Sequence, residues 1–157
     1  MMTKLLSMIF FIAINTFSYS QKVFGDFNND NINDTLYYKC YNVGDIEGIT
    51  EPTCNIKIVL GKENRIYNYN INYISHVTIS SCGAGCISVY DSSKDTEYSQ
   101  EYLYCSRYNN WILTKDETYD RTRDEIVQEN LPEDYFLSID NKKYRKKNDI
   151  SQKSKQK

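Results

Sequence analysis

Histidine occurs once and proline twice in this 157-residue chain, and no serine or cysteine stands in a recognisable nucleophile motif. With His76 alone, imidazole chemistry has little to work with, and a lone histidine among strand residues reads as a structural group. No glycine-rich segment precedes a helical pattern, so no phosphate cradle is expected. From Gln21 onward no apolar run approaches the about 20 residues of a membrane-spanning helix. Apolar stripes at helical spacing are nearly absent until the last third of the chain. The acid pairs Asp116 with Glu117 and Asp124 with Glu125 fall in or near turns and read as solvated surface. No catalytic residue is therefore nominated, and the chain is expected not to be an enzyme.

The N-terminus carries Lys4, an apolar run from Leu5 to Phe17, and small residues at Ser18 and Ser20. That pattern predicts a cleavable signal peptide over residues 1–20 and an exported product, periplasmic or secreted. Gln21 rather than cysteine follows the predicted cut, which argues against a lipid anchor. About 137 residues remain, enough for one domain with one core. Residues 21–140 hold 10 lysines and arginines against 20 aspartates and glutamates, whereas residues 141–157 hold 8 against 1. The body is thus acidic and suited to a protein partner, while the basic end is expected to be a disordered tail. Export makes nucleic acid an unexpected partner, and nothing in the sequence specifies an oligomeric state.

Alternation with period two dominates the body. Cys54, Ile56, Ile58 and Leu60 alternate with Asn55, Lys57 and Val59, then residues 61–64 supply a turn. Tyr67, Tyr69, Ile71 and Tyr73 next alternate with three asparagines, completing a hairpin with one packed and one wet face. Further strands are expected over 35–41, 76–81, 86–90, 98–107 and 111–118, with a tight turn at Asn109 and Asn110. A single helix is expected over 121–130, capped by Asp120 or Thr122 and stopped by Pro132. The predicted fold is an all-β antiparallel sheet or meander of about seven strands with that short C-terminal helix and the disordered tail. The many tyrosines suit half-buried sheet surface, although a tyrosine row also suits a carbohydrate or peptide platform.

The stretch GDFNNDNINDTL places Asp26, Asn28, Asp30 and Asp34 at positions 1, 3, 5 and 9 of a calcium-type loop. Calcium takes about six to eight oxygens, and alternate side chains of a coiled loop can point at one ion. Ile32, at position 7, would offer its carbonyl and turn its side chain inward, and Asn31 stands where a left-handed residue is needed. The loop resembles that of FG-GAP and VCBS-type β repeats of bacterial secreted proteins, in which it precedes a strand. The likeness covers about a dozen residues of one repeat unit and implies a structural calcium ion. An EF-hand is a poorer description, because Tyr37 occupies position 12 where a bidentate glutamate belongs.

Five cysteines, Cys40, Cys54, Cys82, Cys86 and Cys105, follow the signal, and an oxidising compartment would pair them. Cys82 and Cys86 flank Gly-Ala-Gly and can meet across a hairpin, while Cys40 and Cys54 can staple the intervening segment. Pairing Cys82 or Cys86 with Cys105 is an equally legal connectivity. Zinc held by His76, Cys82, Cys86 and Cys105 has suitable ligand types but ranks below disulfides outside the cytoplasm. The functional expectation is a calcium-binding recognition module at the cell envelope. Its alternatives are a periplasmic immunity protein that neutralises a toxin and, third, an envelope thiol oxidoreductase or small hydrolase.

Overall fold

A computed structural model describes residues 21–146, so the predicted signal peptide and residues 147–157 lie outside the described residues. Four strands, β1 (Gln21–Gly25), β2 (Asp34–Tyr41), β3 (Thr53–Val59) and β4 (Ile66–Asn72), form one antiparallel meander in chain order. Five more, β5 (His76–Gly83), β6 (Cys86–Ser92), β7 (Thr96–Cys105), β8 (Asn110–Asp120) and β9 (Glu125–Glu129), form a second. A two-stranded ribbon, β10 (Tyr135–Leu137) and β11 (Lys143–Arg145), follows.

The two meanders pack by their inner faces. Period-two sequence becomes strict burial alternation in β3, where Cys54, Ile56 and Ile58 are buried while Asn55 and Lys57 are exposed. Leu36, Ile56 and Ile58 from the first sheet share a core with Ile79, Ile87 and Leu113 from the second. Each such side chain contributes about 1.5–3 kcal/mol by leaving water. An exposed ion pair contributes about 0.2–1 kcal/mol, so apolar packing decides how the sheets associate. Along one side β1 runs close to β5, where Ser81 abuts Gly25 and the Ile79 amide donates to the Tyr38 hydroxyl at 3.4 Å.

All seven expected strands are present, and four more were not anticipated. The helix expected over 121–130 does not form. Asp120 does accept the amides of Thr122 (2.8 Å) and Arg123 (3.2 Å), as a helix cap would. Asp124 then takes a left-handed backbone with φ 59°, and Ile126 pairs opposite Tyr119 in β9. The segment has no apolar stripe that a helix could bury, and every residue of β9 is exposed. Pairing to β8 satisfies its backbone instead.

Part of the stretch expected as a disordered tail, residues 141–146, is ordered. Residues 141–146 turn at Asn141 and return as β11, because the ribbon docks on β8. Ile139 is buried and donates its amide to the Trp111 carbonyl at 2.9 Å, and Tyr144 stacks on Tyr108 at 4.2 Å. The β7–β8 turn occupies residues 106–109, with Asn109 left-handed at φ 50°. Asn110, expected in that turn, is a buried strand residue bonded to Asp140, Tyr144 and Tyr69.

Candidate functional site

β1 and β2 pair as far as Gly25 opposite Asp34, which leaves residues 26–33 as the loop between them. The loop coils because Asn29 and Asn31 both adopt left-handed backbone, φ 58° and 63°. Asparagine tolerates that region better than any residue except glycine. The Asp26 carboxylate accepts the amides of Asp30 (3.0 Å) and Asn31 (2.8 Å), and Asp30 accepts the Ile32 amide (2.9 Å) and the Asn28 side-chain amide (3.1 Å).

Asp34 is almost wholly buried and accepts the amides of Phe27 and Gly61, each at 2.8 Å. Burial pushes its carboxyl above the ordinary value of 3.8, aided by Asp30 and Asp26 nearby and opposed by the two amide bonds. Asp34 therefore joins three segments, the loop start, the loop end and the β3–β4 turn. Gly61 must be glycine there, since a Cβ would lie 2.5 Å from the Asn33 carbonyl oxygen.

The rest of the molecule grips the loop from outside. Trp111, fully buried in β8, donates its indole N–H to the Phe27 carbonyl at 2.7 Å. The Gly85 amide, at the tip of the β5–β6 hairpin, donates to the Asp26 carbonyl at 2.6 Å. Gly85 has φ +72°, and a Cβ on it would come 3.3 Å from that of Asn29. Neither Trp111 nor Gly61 was nominated from sequence, because the contacts span 84 and 27 residues.

Within the loop one atom is unsatisfied. Asn28 Oδ1 is buried and accepts no hydrogen bond, alone among buried side-chain nitrogens and oxygens of the described residues. Such an acceptor costs about 1–3 kcal/mol unless something pairs with it, and a cation is one such partner. The carboxylate oxygens of Asp26, Asp30 and Asp34 do not all lie within 4.8 Å of one another. The one trio of His, Cys, Asp or Glu whose ligand atoms lie within 4.8 Å of one another, among the described residues, is Cys82, Cys86 and Glu101. Ile32 differs from expectation too: it is 38% exposed rather than turned inward, and lies over Gly61.

Both expected cysteine pairs form. Cys40 and Cys54 are direct cross-strand partners on β2 and β3, and Cys82 and Cys86 close the Gly-Ala-Gly hairpin with α-carbons 5.1 Å apart. Cys105 is free and half-buried at the end of β7. The alternative connectivity through Cys105 is not adopted, and the four ligands of the zinc reading do not assemble, since two are bonded to each other and His76 is exposed at the start of β5. Two disulfides fit an oxidising environment. No helix among the described residues is long and apolar enough to cross a membrane. No family model matches the chain, and no curated protein or solved structure matches it.

Proposed function

We propose that the chain is an exported recognition module of the cell envelope whose 26–34 loop is organised by a structural calcium ion. The observation that carries the loop reading is the orphaned Asn28 Oδ1, buried at position 3 of a calcium-spaced sequence. Asp26 and Asp30 flank it with carboxylates that retain lone pairs beyond their amide bonds, and the Ile32 carbonyl stands at position 7. Asp34 already has a structural task, so its share in holding the ion is to keep the loop ends together. The resemblance to FG-GAP and VCBS-type loops supports the same assignment. Calcium would supply a fixed positive charge that relieves repulsion among the three aspartates and pairs the orphaned oxygen.

Thermal unfolding of residues 21–157 with calcium and with chelator tests this. Calcium at about 100 times its dissociation constant should stabilise the fold by about 2.7 kcal/mol. Asn28→Ala and Asp30→Ala should abolish the shift. A melting temperature indifferent to calcium would sink the ion and leave the module.

A second reading, an immunity protein that blocks a basic toxin, is favoured by the outer face of the second sheet. Glu97, Glu101, Glu117 and Glu129 point outward there and outnumber their ion-pair partners Lys115 and Arg121, so the face keeps a negative balance that would attract a cationic partner. Co-expression with a toxin encoded beside it, followed by survival counts, separates this reading from the first.

A further inference from the structure

The outer faces of the two sheets carry opposite charge. In β1–β4 the cations are Lys22, Lys39 and Lys57, and the sole carboxylate, Asp34, is buried on the inner side. Strand register sets Lys22, Tyr37, Lys57 and Asn68 in one row, and Lys39, Asn55 and Asn70 in the next. Tyr37, Lys39, Asn55, Lys57, Asn68 and Asn70 line a shallow depression of ≈ 500 Å³ open to solvent, and Lys22 extends the first row beyond it on β1. None of the three lysines has a carboxylate within 4.0 Å among the described residues. Lys22 lies over the Tyr37 ring instead, 5.4 Å from its centroid. Asn55 and Asn68 are exposed, and no protein group among the described residues engages their amides.

We propose that this face binds an acidic polysaccharide, a chain of sugars bearing carboxylate or sulfate groups. Three cations on strands that carry no exposed carboxylate answer a repeated anion, and Glu51, at the far edge of this face, is engaged by the Asn72 amide at 2.7 Å. Amide side chains answer sugar hydroxyls, because each offers both donors and an acceptor. The half-exposed Tyr37 ring answers the apolar face of a sugar. An apolar row of Phe24, Val59 and Ile66 borders the lysines on the loop side and would suit a lipid surface, but the amide rows would gain nothing from it. The proposal names the partner of the recognition module and does not depend on calcium in the loop.

The test measures binding of the full chain to dextran sulfate and polygalacturonate, with neutral dextran, a single-stranded DNA oligonucleotide and phosphatidylglycerol vesicles alongside. Both acidic polysaccharides should bind, more weakly at high salt, and neutral dextran should not. Combined Lys22→Glu, Lys39→Glu and Lys57→Glu should raise the dissociation constant at least about tenfold. The same charge change placed at Lys153, Lys155 and Lys157 should leave it within about twofold. Asn55→Ala with Asn68→Ala, which alters no charge, should weaken polygalacturonate binding severalfold at an unchanged melting temperature. Equal losses from the two lysine triples, or binding confined to the oligonucleotide or the vesicles, would overturn the proposal. Binding to none of the probes would also overturn it, while the calcium titration decides the loop separately.

Discussion

The two sheets are built alike and finished differently. Each is an antiparallel meander with an apolar inner face, and each holds one disulfide. The strands of the first carry three lysines and one buried aspartate; those of the second carry Lys115 against eight carboxylates, of which Asp91 is buried. Where the second sheet has cations, they are spent on neighbours: Lys115 reaches Glu117 at 3.0 Å, and Arg121, just past β8, reaches Glu97 at 2.7 Å. Among the described residues the first sheet leaves its lysines without carboxylate partners, and Lys22 and Lys39 lie over the Tyr37 and Tyr41 rings instead. Inner faces, which must exclude water, converge on the same chemistry, whereas outer faces diverge because burial does not constrain them. Specificity is therefore to be sought outside and stability inside.

The largest effect expected is from the residue that belongs to both halves. Trp111 sits on the second sheet, bonds the first sheet's loop and packs edge-on against Tyr67 of β4 at 5.1 Å. Trp111→Ala should cost about 4 kcal/mol in chemical denaturation and leave a single transition. Two separate transitions would mean that the sheets fold as independent units.

The disulfides sharpen the contrast by loop length. Removing Cys40 and Cys54, 14 residues apart, should cost about 3 kcal/mol by lost constraint on the unfolded chain. Removing Cys82 and Cys86, 4 apart, should cost about 2 kcal/mol, both measured by urea unfolding of double serine variants. Equal costs would show that native-state packing, not chain entropy, sets their worth. Asp34→Ala strands two buried amides and should cost about 2–3 kcal/mol, a loss confined to the first sheet's loop in hydrogen exchange.

The smallest effect is a pH slope. Because Asp34 keeps its proton to higher pH when folded, its contribution is fullest below 3.8 and fades as pH rises through the raised folded value. Unfolding free energy followed upward from acid should therefore lack this decline in Asp34→Asn. Calcium, if it binds, would hold Asp34 ionised and flatten the slope in the native chain.

Strands were legible wherever one face is wet and the other dry, as in β3 and β4, since period-two alternation leaves no other reading. β9 and β11 were not legible, because they are held by pairing rather than by a buried face. The 121–130 segment, read as a helix from its cap and its stop at Pro132, is instead turned by Asp124 at φ 59°. The calcium-type spacing was visible in sequence, as was the left-handed demand at Asn31. The buried Asn28 oxygen, the clamp from Gly61 and the exposure of Ile32 were not, since each depends on what lies across the loop.

By itself the sequence determined the all-β class, the positions of seven strands and the identity of the wet-face residues, because backbone pleat converts residue parity directly into side-chain direction. It also made a disulfide across the Gly-Ala-Gly hairpin a short-range matter of chain reach. Only the tertiary structure decided that Lys22, Lys57 and Asn68 stand in one row, that Trp111 holds a loop 84 residues away, and that Cys105 stays free. Register and sheet packing are sums over many weak contacts between distant segments, and no local pattern carries them.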